Sequence, residues 1–367
     1  MNYPHLFSPY TLGSLGLKNR TVVSSLTRAS ASDEGLVTPA MVQYYESFAQ
    51  GGWGLIATEA TYVDLQYSQG YLNQPGIASQ AQAESWREVV RAVHAHGTPI
   101  YMQLFHGGAV NQGNHWVQGS IAPSAIAPKG TQISRYRGNG GPFQTPREIT
   151  PKEIHAVIDS FALAAQRAIE AGFDGVEIHG ANGYLPDQFL TTYTNQRHDL
   201  YNGDVRHRLR FHLQLLQAVR AAIPGQLLGV RLSQTKVNDL EYVWPGQMED
   251  ARVIFSEIAQ TGVDFIHVAG HQGLAPVFGS TQSLSGLAKT FSGLPVIANG
   301  KLQDPALANQ ALVDGEGDLV SIGKGALADA HWAAKVQAGL APIEFHLDMI
   351  SPYATLENRD QWMKPQG

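Results

Sequence analysis

Phe173–Leu190 reads FDGVEIHGANGYLPDQFL. Val176 and Ile178 alternate with their neighbours as a buried strand does, and the chain then breaks at Gly180 into a short polar loop carrying Asn182 and Tyr184. The strand follows Gly172, which stops a long amphipathic stretch, Pro151–Ala171. That stretch opens on Thr150-Pro151-Lys152-Glu153, with an N-capping hydroxyl, a proline at the first helical position and an acid near the third. A capped helix, a glycine, a strand and a polar loop make one unit of an alternating β/α chain.

Working outward, the same unit recurs. Strands are predicted at Arg20–Leu26, Gly54–Thr61, Pro99–Phe105, Phe173–Ile178, Leu227–Leu232, Val263–Val268, Pro295–Ala298 and Leu319–Ile322. Helical patterns between them include Thr38–Ala49, Ala81–His96, Arg206–Ile223 and Met248–Gln260. Asp304-Pro305 repeats the capped start, and Gly262 and Gly315 stand where helices should stop. Strict alternation implies a parallel sheet with right-handed crossovers, and eight units fit one closed (β/α)8 barrel, a TIM barrel, over residues 1–367. No G-x-G-x-x-G follows the first strand, which speaks against a Rossmann sheet. Residues 106–147, rich in Gly, Pro, Ser and Gln, form an excursion after the third strand at the barrel rim. The tail, 351–367, reads as polar and irregular.

The 367 residues are 43% apolar with a formal charge of -6 and no dense basic run, so neither nucleic acid nor an anionic membrane is called for. Cys is absent, which excludes disulfides, thiolate nucleophiles and cysteine-held metal clusters in this chain. MNYPHLFSPY lacks the features of a signal peptide, and the chain is expected to be cytoplasmic, a monomer or a homodimer.

A barrel places its chemistry at the C-terminal ends of its strands. Those ends are polar: Thr27, Glu59-Ala60, Gln103, His179 with Asn182, Arg231, Asn299-Gly300 and Gly323-Lys324. Gly300 and Gly323-Lys324 fall after strands 7 and 8, the usual phosphate position of this fold, though such glycines can also be simple turns. His179 and Asn182 can donate to one carbonyl oxygen, with Tyr184 near enough to deliver a proton; capping and packing are the plainer alternative. Arg231 can stabilise negative charge on a ring in the barrel mouth, or form an internal ion pair with Glu59 or Glu177. The pairs His94/His96, His106/His115 and His267/His271 do not have the spacing of a metal site, and no metal is expected.

Leu6–Arg20 (LFSPYTLGSLGLKNR), Thr38–Thr61 (TPAMVQYYESFAQGGWGLIATEAT), Tyr101–Gly108 (YMQLFHGG), Ile121–Pro128 (IAPSAIAP), Pro146–Ile154 (PREITPKEI), Leu227–Ser233 (LLGVRLS), Pro295–Leu302 (PVIANGKL) and Asp318–Asp329 (DLVSIGKGALAD), together with the opening stretch, resemble the old yellow enzyme family of FMN-dependent ene-reductases. The resemblance implies that Ser25, Leu26 and Thr27 line the flavin ring, and that Ala60 and Gln103 bind its pyrimidine edge. Arg231 would face its N1/C2 oxygen side, Asn299 would also bind the cofactor, and Gly300, Gly323 and Lys324 would hold the phosphate. His179 and Asn182 would grip the substrate oxygen, and Tyr184 would donate the proton. It implies ping-pong chemistry, in which NAD(P)H reduces the bound FMN and leaves before an activated alkene takes its place. Hydride would then pass from flavin N5 to the β carbon of an α,β-unsaturated carbonyl or nitro compound.

The sequence departs from the family's pattern at several points. Ser24-Ser25 stand where a Pro usually precedes Leu-Thr, Lys324 replaces a usual Arg, Gly108 follows the QLFHG run where an Arg is common, and Asn202-Gly203 replaces Gly-Gly. A flavin-free lyase or aldolase acting on a phosphorylated substrate through Lys324 or Lys301, and a non-catalytic FMN-binding module, are the rival readings.

Overall fold

A computed structural model describes residues 3–364; residues 1, 2 and 365–367, the last of them in the predicted tail, lie outside the described residues. Eight parallel strands close on themselves. They are β1 (Thr21–Val23), β2 (Leu55–Ala57), β3 (Ile100–Phe105), β4 (Gly175–His179), β5 (Leu227–Leu232), β6 (Phe265–Ala269), β7 (Val296–Asn299) and β8 (Leu319–Ile322). Each pairs with its successor, and β8 returns to β1 through Val320↔Thr21. This is the expected (β/α)8 barrel.

Outside the sheet lie α1 (Pro39–Gln50), α2 (Gln80–His94), α3 (Pro151–Ala171), α4 (Val205–Ala222), α5 (Gln247–Ala259), α6 (Leu284–Ser292) and α7 (Pro305–Val313). The capping box of α3 forms as its sequence demands. Thr150 Oγ1 accepts from the Glu153 amide at 3.3 Å, and the Glu153 carboxylate accepts from the Thr150 amide at 2.8 Å. Gly172 then ends the helix at φ 103, a left-handed conformation that needs no Cβ.

The first two strands are three residues each, far shorter than predicted, for one reason. Beyond Val23 and Ala57 the chain leaves the ladder to build the rim, and side chains replace sheet bonds there. The Gln103 amide donates to Thr58 Oγ1 at 3.1 Å, while Thr61–Tyr62 rejoins the end of β3. The tail is not irregular throughout. Leu356–Met363 is helical, capped by Thr355, and anchored by the Leu356 amide on Ser30 Oγ and by Arg28 Nη2 on the Thr355 carbonyl. The polar composition of that helix hid it, because its apolar stripe amounts to little more than Leu356.

The barrel's two ends differ. An antiparallel hairpin, Tyr10–Leu12 with Leu15–Leu17, covers the N-terminal end. Its Leu12 and Leu17 pack into a buried cluster with Leu55, Tyr101, Leu227, Phe265, Ile297 and Leu319. The opposite end carries the polar strand ends, and the excursion after β3 folds over it. That excursion contributes a two-residue strand, Ile121–Ala122, and a 3-10 turn, Ser134–Tyr136.

Candidate active site

At the C-terminal rim a cleft of about 300 Å³ is lined by Ser24, Ser25, Leu26, Arg231, Asn299, Gly300, Gly323 and Lys324, among others. Two further hollows, about 260 and 180 Å³, share Gly270, His271 and Asn299 with it, so the opening runs from β8 round to the loop after β5. Residues from the ends of strands 1, 5, 6, 7 and 8 therefore meet at this cleft.

Gly300 sits at φ 129, and a Cβ there would lie 2.3 Å from the Gly270 carbonyl oxygen; only glycine allows this approach. Gly323 precedes a short helix, Lys324–Ala328, and the exposed Lys324 holds its Nζ 5.4 Å from the Phe345 ring centroid. The cleft thus has a cationic, backbone-rich end.

On the other side of the mouth, His179 ends β4 one residue later than predicted, in register with Arg231 of β5. Burial first, then the Arg231 charge, lowers the His179 pKa to about 3, so its imidazole is neutral at working pH. Tyr184 is buried against Phe105, ring centroids 4.4 Å apart, and lies 5.1 Å from the His179 ring. Burial raises its phenol pKa well above the ordinary value, with Tyr136 adding to the effect and Arg231 opposing it, so the group stays protonated. Asn182 adopts φ 63, held by its amide on Ser233 Oγ at 2.8 Å and its carbonyl on the Val237 amide at 3.1 Å. Ala60, whose carbonyl accepts from Gln74 Nε2, shares a small apolar cluster with Phe105 and Tyr184.

Arg231 forms no ion pair with Glu59 or Glu177. Glu59 spends its carboxylate on the Arg28 amide and the Tyr45 hydroxyl, and Glu177 spends its own on Gln103, Tyr101 and His267. Arg231 Nη2 reaches Asn299 Oδ1 at 3.4 Å, and its Nε has no partner although it is buried. Ser25 Oγ and His179 Nδ1 are likewise buried without a partner. Leaving such groups unpaired costs about 1–3 kcal/mol each. Orphaned polar atoms on both walls and a glycine cradle at one end fit a flat polar ring carrying a phosphate.

Several residues of the mouth escaped the sequence. Tyr71 and Tyr136 bring their phenols beside the Thr27 hydroxyl, and their rings lie 5.7 Å apart. Nothing in an irregular rim segment marks Tyr136 as reaching Thr27; Gly70-Tyr71 after the second strand was the one usable cue. Lys236, 1% exposed, forms an ion pair with the fully buried Asp187 at 2.6 Å, and a lysine in a polar loop gives no sign of that.

A parallel barrel with a glycine-lined, cationic cleft at its rim and a neutral His beside a protonated Tyr fits a flavin-type oxidoreductase site. Residues 5–342 match the NADH:flavin oxidoreductase / NADH oxidase family, and the chain belongs to it. It is 34% identical over 344 residues to a probable flavin mononucleotide-dependent alkene reductase of Leishmania infantum, covering 92% of this chain and 91% of that one. Among solved structures it resembles the old yellow enzyme homologue of Zymomonas mobilis, with TM-score 0.86, 29% identity and coverage of 97% and 99% of the two chains. It also resembles morphinone reductase in complex with tetrahydroNAD, with TM-score 0.82, 32% identity and coverage of 93% and 92%. The protein is an NAD(P)H-dependent flavin oxidoreductase of the old yellow enzyme, alkene-reductase type, with FMN as cofactor. The flavin-free lyase and the non-catalytic module are thereby set aside.

Among the described residues no helix is long and apolar enough to cross a membrane, and no cluster of three His, Cys, Asp or Glu could hold a metal ion.

Buried imidazoles make stability pH-dependent. Burial lowers His106, His179 and His212 to about 4, 3 and 4, from an ordinary 6.5. Below pH 6.5 the unfolded chain therefore binds these protons first, and stability falls as pH falls. Glu59, raised by burial to about 7, works the opposite way and offsets one of the three. The net slope near pH 5.5 is expected to be ~2–3 kcal/mol per pH unit. Urea titrations at pH 7.0 and 5.5 check this; equal midpoints would contradict the neutral assignments.

Proposed function

We propose that the chain reduces the carbon–carbon double bond of α,β-unsaturated carbonyl or nitro compounds, with NAD(P)H as hydride source. The observation that carries this is the juxtaposition of neutral His179 and protonated Tyr184 at one mouth, ring centroids 5.1 Å apart, with His179 Nδ1 free of any protein partner. FMN, when bound, supplies two-electron hydride transfer between NAD(P)H and the alkene.

The chain's own residues do the rest. Gly300, Gly323 and Lys324 would hold the phosphate, with Asn299 steadying Arg231 beside them. Ser25, Leu26 and Thr27 would line one side of the ring, Ala60 and Gln103 would take its pyrimidine edge, and the Arg231 cation would favour negative charge on that side. His179 and Asn182 donate to the substrate's carbonyl or nitro oxygen and polarise the double bond. A neutral imidazole suits this role, since it donates without titrating near neutrality. Tyr184 gives its proton to the α carbon and is refilled from solvent.

The test is anaerobic. NADPH or NADH should bleach the yellow protein, and cyclohexenone should restore the colour with formation of cyclohexanone. Bleaching without reoxidation by cyclohexenone, a nitroalkene or a maleimide would rule out the proposed activity. His179→Ala and Asn182→Ala should each raise KM for cyclohexenone by roughly tenfold or more, the worth of one lost hydrogen bond to a polarised oxygen.

A further inference from the structure

Beneath the mouth, inside the barrel, runs a chain of polar side chains of which the proposed chemistry uses Gln103 alone. Glu177 of β4 is fully buried. Its Oε1 accepts from Gln103 Nε2 at 2.7 Å; its Oε2 accepts from the Tyr101 hydroxyl at 3.2 Å and lies 2.7 Å from His267 Nδ1. The other His267 nitrogen, Nε2, lies 2.7 Å from Ser321 Oγ. Four strands, β3, β4, β6 and β8, are thus linked across the barrel interior by one connected set.

Bond polarity along this set is determined. A carboxylate only accepts, so Nδ1 of His267 carries the proton and Nε2 accepts from the Ser321 hydroxyl. Burial lowers the His267 pKa, in keeping with a neutral ring. For Glu177, burial alone would raise the pKa, but His267, Arg231 and Gln103 together hold it below the ordinary value, so it stays ionised. By the same rule the Gln103 amide must turn its nitrogen to Glu177, which leaves its oxygen as the atom free for a ligand.

We infer that Glu177, held by His267 and Ser321, is a positioning residue that fixes Gln103 as a hydrogen-bond acceptor for the N3–H of the flavin and supplies the negative charge that counters Arg231. The inference rests on the ring placement proposed above. It follows from the geometry that Glu177 has two separable effects. It selects the flavin's N3–H donor through Gln103, and it makes reduction harder, because an anion beside Arg231 weakens the stabilisation of charge arriving on the ring. Replacing the carboxylate by an amide would set two NH₂ groups against each other, and relief comes when Gln103 flips and presents a donor to the N3–H.

The experiment compares binding of FMN and of 3-methyl-FMN, which lacks the N3–H, to apoprotein, and measures the two-electron midpoint potential of the holoenzyme. Wild type should prefer FMN by at least tenfold. Glu177→Gln should bring that ratio near unity and raise the ratio of reduced to oxidised FMN affinity by about tenfold, a positive shift of ~30 mV. Equal binding of the two flavins by wild type overturns the inference, whatever the variants do. So does a Glu177→Gln protein that keeps the wild-type preference and potential. Gln103→Ala separates the two levels: if it leaves FMN affinity unchanged, the ring placement fails together with this inference. If Gln103→Ala weakens FMN while Glu177→Gln alters nothing, only the role of Glu177 falls.

Discussion

Tyr184→Phe is expected to slow reoxidation of the NADPH-reduced enzyme by cyclohexenone by ~10²–10⁴-fold, the usual worth of a positioned proton donor, while leaving the rate of flavin reduction by NADPH within about twofold of wild type. The substitution removes one hydroxyl and keeps the ring, which packs at 4.4 Å on Phe105 and at 5.1 Å on His179. The aromatic packing around the position therefore survives, and the loss reports the proton alone. The phenol's raised pKa makes it a protonated donor across the whole working range, so the wild-type alkene step should not titrate with Tyr184. Stopped-flow absorbance on each half-reaction decides the matter. Equal losses in both would assign Tyr184 to packing, and no loss in either would place the donor elsewhere, with Tyr136 and Tyr71 the nearest phenols in the mouth.

Lys236→Met should destabilise the protein by about 3–5 kcal/mol, because it strands the Asp187 carboxylate in the interior. The pair is 2.6 Å apart with both side chains out of solvent, and Asp187 also accepts from the Gly183 amide at 2.7 Å. It therefore fastens the loop that carries Asn182 and Tyr184 to the loop after β5, where the Asn182 carbonyl and amide are already engaged. The double variant Lys236→Met with Asp187→Asn carries neither charge, and the oxygen of the introduced carboxamide can still accept from Gly183. It should recover most of the loss. Urea denaturation of the four proteins completes the cycle. A single variant within ~1 kcal/mol of wild type, or a double variant worse than both singles, would show that the pair is not the fastening described.

Much of this architecture can be read from the sequence because hydrophobic period and punctuation agree along the chain. Val176 and Ile178 mark β4, Gly172 stops α3, and Leu227–Leu232 and Leu319–Ile322 are strands to the residue. Polar residues at strand ends marked the mouth for the same reason, since Gln103, His179 and Arg231 interrupt an apolar pattern that packing alone would have continued. What stayed hidden depends on long-range contact. Lys236 reads as a surface residue until Asp187, forty-nine positions earlier, is folded against it. Tyr136 sits in a segment with no period at all. His267 looked like half of a dubious metal pair, and only closure of the barrel brings Glu177 and Ser321 to its two nitrogens. His271 lines the hollows at the rim instead, far from that role.

The hairpin Tyr10–Leu17 covers the N-terminal end of the barrel, and its Leu12 and Leu17 join the side chains that fill the interior there. Ligands are left the opposite rim, and a nicotinamide and an alkene docking in one space there would have to take turns. That restriction of traffic to one rim comes from a packed floor, to which eight residues at the far end of the molecule from the reaction contribute two leucines.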